Sequence, residues 1–290
     1  EISIFPFLLG LLLLLPFILF KKECRFRKSM LGFFLVFGLF GAITRLSYMS
    51  ALILGIPLAM VAFLLFSEPL WTILFGKLYL KERVTKRKMF ALALLLAGLF
   101  ILFNPTYGEH IGNPIGILLA LVGGISYSGW VIYSRKGGLR KYHFLTEEFG
   151  YIVFSLLFVI ILYPIISLVT QNPSMMRISF ALPPVTWLYL LIFILISRLI
   201  PYSLFFKGIQ KTSASSSGII LLLEPISVAL LAVLVLDQPL TPNILLGGTL
   251  IIIANYFALD GVTQKSIRKN LAHRARFRLS LHMPHLPHLR

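Results

Sequence analysis

The chain has 290 residues, of which 58% are hydrophobic and 13% are charged, and its formal net charge at pH 7 is +17. Soluble domains carry roughly 25% charged residues, so this composition excludes a soluble globular protein and indicates an integral membrane protein. The single cysteine, Cys24, excludes an internal disulfide and a metal site built from cysteines. No cofactor is expected.

Nine apolar runs are candidates for crossing the hydrocarbon core of a bilayer, which takes about 20 residues of helix. We number them as spans in chain order: span 1 at 3–20, span 2 at 30–50, span 3 at 57–78, span 4 at 88–103, span 5 at 114–134, span 6 at 147–169, span 7 at 186–206, span 8 at 214–236 and span 9 at 243–261. The predicted fold is therefore all-α and embedded in a membrane.

One stretch of the chain occurs twice. Residues 57–103 and residues 213–259 align without a gap, and the alignment superposes Glu68-Pro69 on Glu224-Pro225. Each copy contains an apolar helix with the Glu-Pro pair in its middle, a short polar turn and a second apolar helix. This similarity predicts an internal duplication.

The duplication extends to the preceding spans, so spans 1 to 4 correspond to spans 6 to 9. Span 5 has no counterpart in the first half, and we expect its counterpart to precede residue 1. The expected parent fold has five plus five helices, of which nine are present. We predict a first repeat of four helices at 1–104, a second repeat of five helices at 114–261 and a basic tail at 262–290.

The basic residues predict the orientation of the spans. Every Lys and Arg except Arg45, Arg177 and Arg198 lies in or beside the connections after spans 1, 3, 5 and 7, or follows span 9. The positive-inside rule places these segments, and the C-terminus, in the cytoplasm at the inner (plasma) membrane. These basic residues then orient the chain in the membrane and contact anionic lipid, so no nucleic-acid partner is expected.

With this orientation, span 3 runs from outside to inside and span 8 runs from inside to outside. The two repeats are therefore predicted to be inverted. Inverted repeats are typical of secondary transporters, whose substrate site lies near the midplane where the halves meet.

Two motifs connect the sequence to a known family. Residues 50–69 and 211–225 each combine a small-residue entry, an apolar helix and a Glu-Pro pair, and the turns LKER (80–83) and LDQP (236–239) follow them. In these motifs the chain resembles the EamA family of the drug/metabolite transporter (DMT) superfamily. The resemblance implies a ten-helix bundle of two inverted repeats and a permease, often an exporter of amino acids, metabolites or drugs.

The sequence departs from the family pattern in places. The turn glutamate is present in the first half as Glu82, but Gln238 replaces it in the second half. In span 5 the family commonly has a Ser-Trp pair, whereas this chain has Ser126-Tyr127 with Trp130 one turn later.

Glu68 and Glu224 are the first candidates for a functional role. A carboxyl group at mid-membrane depth is costly and is by default a functional hypothesis. Pro69 and Pro225 each remove a backbone hydrogen bond, so both helices should bend there and leave carbonyl groups near a cavity. Gating or proton coupling is one interpretation, and a purely structural role is the other.

Arg45 and Arg198 are the only cations away from the ends of the predicted spans, and they lie in corresponding helices of the two repeats. One hypothesis is that one of them binds a carboxylate or phosphate of the substrate. The alternatives are an ion pair with Glu68 or Glu224, or extension of Arg45 toward the outer surface.

Five aromatic residues suit a cavity, or equally a lipid-facing belt: Tyr48, Trp71, Tyr127, Trp130 and Tyr202.

The predicted function is that of a secondary transporter, not an enzyme, in which two inverted halves give alternating access to a midplane cavity. Its predicted partners are the lipid bilayer and a small-molecule substrate, with proton coupling and a homodimer left open. One alternative is a non-transporting membrane subunit or a degenerate fragment. A membrane-embedded enzyme acting on lipid is the other, but it needs clustered nucleophiles, carboxylates or histidines that these spans do not contain.

Overall fold

A computed structural model of the chain describes residues 4–24, 26–103, 113–170, 183–235 and 241–258. Within these ranges the chain is helical with short connections and contains no strand, which confirms the predicted all-α fold. The α-helices are α1 (Phe5–Phe20), α2 (Leu31–Ile53), α3 (Leu58–Leu65), α4 (Glu68–Tyr79), α5 (Lys86–Phe103), α6 (Pro114–Leu139), α7 (Phe144–Thr170), α8 (Pro184–Ile194), α9 (Ile200–Ile209), α10 (Ala214–Leu221), α11 (Leu223–Val235) and α12 (Pro242–Ala258).

The predicted spans correspond to these helices. In the part of the chain that the structure describes, six helical segments are long and apolar enough to cross a membrane, and they coincide with spans 2, 3, 5, 6, 7 and 8. The helices of spans 1, 4 and 9 are shorter, with 16, 18 and 17 residues in α1, α5 and α12. The division into repeats at 1–104 and 114–261 stays a prediction, and the predicted tail at 262–290 lies outside the described residues.

Spans 3 and 8 are each broken into two helices, as the Glu-Pro pairs predict. The break between α3 and α4 falls at Phe66 and Ser67, and the break between α10 and α11 falls at Leu222. Each break lies just before the proline, whose ring clashes with the carbonyl group four residues earlier and which has no N–H to donate.

Span 7 is continuous but irregular. A π-helical turn, Leu195–Leu199, joins α8 to α9 and contains Arg198. Turns of this kind are rare, and they occur frequently at functional sites.

Helix α6 continues to Leu139, beyond the predicted end of span 5 at residue 134. Arg135 and Lys136 therefore lie on the helix rather than in the connection that follows it. The guanidinium group of Arg135 donates to the carbonyl oxygens of Ile209 (3.0 Å) and Gln210 (2.7 Å) at the end of α9. These bonds give the Nη1 group of Arg135 two acceptors within the bundle.

Helices α5 and α12 pack against each other in opposite directions. At one end Arg87 lies over the ring of Phe257, and at the other end Gly247 meets Gly98 and Leu102. A Cβ atom on Gly247 would lie 2.7 Å from the carbonyl oxygen of Gly98 and 2.7 Å from the backbone nitrogen of Leu102. The absence of a side chain at 247 therefore sets how closely the two helices approach.

The end of α4 meets the start of α10. The carboxylate of Glu82 accepts hydrogen bonds from the backbone N–H groups of Ala214 (2.7 Å) and Ser215 (3.1 Å) and from the Ser215 hydroxyl (2.5 Å). Glu82 thus caps the N-terminus of a helix in the other half of the chain. This contact requires spans 3 and 8 to run in opposite directions, as inverted repeats do.

The connections after spans 1, 5 and 7 lie at this same end. The thiol of Cys24 is 3.2 Å from Nδ1 of His143, and the hydroxyl of Thr146 donates to the carbonyl oxygen of Cys24. Burial raises the pKa of the Cys24 thiol. We call the end formed by 21–24, 26–30, 80–88, 135–146 and 209–215 the basic end, because it gathers the basic connections of the described chain.

Replacing Gly247 with alanine is expected to destabilise the bundle, because the new methyl group meets backbone atoms of α5 that cannot move aside. Overpacking of this kind costs about 1–3 kcal/mol. The midpoint of thermal unfolding in detergent, followed by size-exclusion chromatography after heating, should fall. Gly208→Ala in α9 is the matched control, since a Cβ atom there meets nothing within 4 Å. Equal midpoints for the two variants contradict this account of the contact.

Replacing Glu82 with alanine is expected to open the contact between α4 and α10. Ser217→Cys in α10 provides a reporter, because Ser217 is buried and the native Cys24 is buried too. A hydrogen bond to a charged group contributes about 1.5–3 kcal/mol, so the reporter should react with a water-soluble thiol reagent roughly tenfold faster or more without Glu82. Glu23→Ala, which removes an exposed carboxylate, should leave the rate unchanged. An unchanged rate in the Glu82 variant refutes the proposed cap.

Candidate substrate-binding cavity

A cavity of about 640 Å³ lies between the two halves of the chain. Its wall is formed by α2, α6, α7, the π-helical turn, α9 and α11, with contributions from α3, α5 and α12. Leu58, Phe103 and Ile244 belong to this wall, and all three lie at the end of their helices that is remote from the basic end. The cavity therefore reaches the end of the bundle opposite to the basic end.

The cavity gathers most of the candidate residues. Those on its wall are Arg45, Tyr48, Tyr127, Trp130, Arg198, Tyr202, Glu224 and Pro225. Glu68, Pro69 and Trp71 lie outside it. Residues from spans 2, 5, 7 and 8, far apart in the sequence, thus meet at one place near the middle of the bundle.

Glu68 lies at the contact between α4 and α10. Its side chain is fully buried, one carboxyl oxygen accepts a hydrogen bond from Thr72, and the other has no partner among the described residues. A Cβ atom on Gly218 would lie 2.9 Å from the Glu68 carboxyl group, so the glycine provides the space that this group occupies. Pro69 is buried beside it, and Trp71 donates to the Ser67 hydroxyl on the same helix (3.3 Å).

Glu224 occupies a different environment although it corresponds to Glu68 in the repeat. It is exposed, and it lines the cavity. Its carboxylate therefore faces the cavity. Only Glu224, of the two Glu-Pro glutamates, lies where it can contact a substrate.

Arg198 is positioned by aromatic rings. Its guanidinium carbon lies 4.1 Å from the centre of the Phe7 ring and 5.4 Å from that of Tyr202, and Nη2 lies 3.4 Å from the hydroxyl of Tyr151. Its Nε–H group is buried without a hydrogen-bond partner among the described residues. The side chain is thus held in the wall with donor capacity left over.

Trp130 is the second donor on the wall that has no partner among the described residues. Its ring stacks on Phe205 with centroids 4.8 Å apart and meets Tyr202 edge to face at 5.6 Å. Buried donors normally have partners, and a native structure that leaves one unpaired calls for an explanation. Both unpaired donors, Nε1 of Trp130 and Nε of Arg198, are buried within the wall of the cavity.

Tyr151 lies on the cavity wall, although the sequence did not indicate it as a candidate residue. Its ring stacks on Tyr202, with centroids 5.8 Å apart, and packs closely on Gly41 of α2. Nothing in span 6 distinguished this tyrosine from a lipid-facing one. Its role follows from the glycine on α2, whose lack of a side chain admits the ring.

A second cavity of about 640 Å³ adjoins the first between α1 and α8. The two share Arg45, Arg198, Tyr202 and Glu224, and the second also has apolar walls at Leu190 and Phe193. The charged groups therefore lie where the two spaces meet. Among the described residues there is no cluster of three side chains suited to a metal ion.

The arrangement suits a small amphipathic solute. Two guanidinium groups and one carboxylate can bind an anionic group and an ammonium group. The stacked rings can cover an apolar body, as they do in many small-molecule sites.

Comparison with known proteins agrees with this architecture. The family model of the EamA-like transporter family matches residues 1–104 and 114–259. An uncharacterized transporter from Clostridium kluyveri is 26% identical over 266 residues, covering 88% of this chain and 81% of the relative. A probable amino-acid metabolite efflux pump from Escherichia coli is 22% identical over 210 residues, covering 72% and 69%.

The fold also matches that of solved structures. One crystal structure aligns with a TM-score of 0.69 at 17% sequence identity, covering 88% of this chain and 85% of the other. At this identity the likeness concerns the fold alone. With the family model matching nearly the whole chain, this multi-pass membrane protein belongs to the EamA-like transporter family.

Proposed function

We propose that this protein is a secondary transporter that exports small organic molecules with one anionic group, amino acids among them. The observation that carries the proposal is the cavity between the two halves, where Arg45, Arg198 and Glu224 share one wall with stacked aromatic rings. Family membership and the antiparallel packing of spans 3 and 8 support a transport cycle in place of a static channel.

The amino-acid substrate class follows from the charges on the wall. The carboxylate of an amino acid fits the arginine side, where Arg45 and Arg198 line the cavity. Its ammonium group fits Glu224, and an apolar side chain fits the rings of Tyr151 and Tyr202. The description of the Escherichia coli relative as a probable amino-acid metabolite efflux pump points to the same class.

Alternating access is supported by where the cavity is open and where it is closed. It reaches the end remote from the basic end, whereas at the basic end Glu82 ties α4 to α10. With the basic end in the cytoplasm, as the positive-inside rule predicts, this conformation faces outward. The inward-facing state then requires the contact between Glu82 and α10 to open. The localisation that this proposal assumes is the plasma (inner) membrane.

Replacing Arg198 with glutamine is expected to weaken carboxylate binding. A charge-assisted hydrogen bond contributes about 1.5–3 kcal/mol, so half-saturation for leucine should rise roughly tenfold to a hundredfold. The measurement is counterflow of radiolabelled leucine into proteoliposomes, with leucinamide, which lacks the carboxylate, as the paired solute. Arg83→Gln, an exposed arginine at the basic end, is the control. Equal transport of leucine and leucinamide by the unaltered protein contradicts the proposed substrate class.

Replacing Glu224 with glutamine is expected to weaken the binding of the substrate's ammonium group and to leave carboxylate binding unchanged. Half-saturation for leucine should rise roughly tenfold, while that for isocaproate, which has the same carbon chain without the amino group, should stay the same. The physical reason is that only the amino acid places a cation beside Glu224. Competition of each solute against leucine counterflow gives both values. A parallel loss for both solutes assigns Glu224 a structural role instead.

A further inference from the structure

Span 6 contains a buried carboxyl group that the proposed function does not use. Glu148, in the second turn of α7, is fully buried. One of its oxygens accepts a hydrogen bond from the hydroxyl of Ser203 on α9, and the other, Oε1, has no partner among the described residues. This side chain lies one turn from Tyr151, behind the wall of the cavity.

Among the described residues, the Ser203 hydroxyl is the one polar contact of the Glu148 carboxyl group, and Arg198 is the cation whose charge reaches it. The elements that pack on α7 are α1, α2, α6, α9 and the segment at Cys24, and Arg198 of the π-helical turn contacts Tyr151. The cations of these elements are Arg45, Arg135, Lys136, Arg198 and Lys207, with Lys21 and Lys22 beside Cys24, and their phenols include Tyr202. Arg135 is bonded to α9 carbonyls, Lys207 lies over Phe144, and Arg198 contacts Tyr151, Phe7 and Tyr202.

An ionised carboxylate in such a place is costly. Burying a charge without a cation and a full set of hydrogen bonds costs several kcal/mol, and a buried carboxyl group avoids this cost by holding a proton. We propose that Glu148 is a proton-binding site behind the substrate cavity. It binds a proton while Arg198 is free to hold an anionic substrate.

Polar groups lie on both sides of Glu148, toward the cavity and toward the basic end. Toward the cavity, the Tyr151 hydroxyl contacts Arg198, and Ser203 is the chain neighbour of Tyr202. Toward the basic end, the next carboxyl group is Glu147, which accepts from Gln210 (3.4 Å). Gln210 in turn donates to the carbonyl oxygen of Tyr142 (3.0 Å). Buried polar groups thus extend from the cavity wall to the basic end.

The same geometry links the proton to the substrate, and this step rests on the proposed function. Loss of the proton places a negative charge on Glu148 near Arg198, the nearest cation of the wall, and competes with an anion for its guanidinium group. Substrate affinity should therefore fall as the pH rises through the titration of Glu148. By linkage, binding of the anion favours uptake of the proton.

Infrared difference spectroscopy of the purified protein in lipid at neutral pH tests the proton site without any substrate. The spectrum of the unaltered protein minus that of Glu148→Gln should contain the C=O band of a protonated carboxyl group. Ser203→Ala should move this same band to higher frequency, because it removes the hydrogen bond to Glu148. Glu23→Gln, which changes an exposed carboxylate, should yield only bands of an ionised group.

Bands of an ionised carboxylate in the Glu148→Gln difference spectrum overturn the proposal. If the glutamine variant does not fold, Glu148→Asp retains the carboxyl group and must show a shifted protonated band.

The second measurement is equilibrium binding of radiolabelled leucine from neutral to alkaline pH. Affinity should fall roughly tenfold in the unaltered protein and stay level in Glu148→Gln, and parallel curves refute the linkage. Absence of leucine binding counts against the proposed substrate class, whereas the infrared result still decides the proton site.

Discussion

The structure depends on how a chain in hydrocarbon satisfies its backbone when a helix is interrupted. No water is present there to bond free N–H and C=O groups, so each break must find partners inside the protein. Pro69 and Pro225 impose such breaks in the middle of spans 3 and 8. The resulting short helices pack against the other half of the chain. At the start of span 8, away from the break, the N-terminus of α10 receives its acceptor from Glu82. The need for acceptors thus joins the two halves at the basic end.

Departures from the symmetry of the repeat produce the site. Glu68 and Glu224 arise at equivalent positions, yet the first is sealed between α4 and α10 while the second lines the cavity. Gly218 explains this difference, because its missing side chain leaves room for the Glu68 carboxyl group. A duplicated unit supplies paired helices, and small residues at the contacts decide which member of a pair meets the solute.

The wall of the cavity combines two kinds of interaction that a membrane interior makes strong. Charged groups in a medium of low dielectric interact more strongly than in water, and an unpaired donor there is costly. Arg198 and Trp130 each retain one donor without a partner among the described residues, next to stacked aromatic rings. The charged groups and rings of this wall match a solute with an anionic group and an apolar body. The charged groups lie where two cavities meet, so they are accessible from both spaces.

The sequence alone determined the membrane class, the nine spans, the duplication and the opposite directions of its copies, because hydrophobic length, charge asymmetry and self-similarity are properties of the chain itself. Most of the candidate residues that it singled out lie on the cavity wall. Tertiary structure alone decided that Tyr151 joins the wall and Glu68 does not, because these outcomes depend on Gly41 and Gly218 in other helices. The burial of Glu148 behind the cavity was likewise a matter of packing, since a carboxyl group near the start of a span reads as an interfacial one until α9 is seen to cover it.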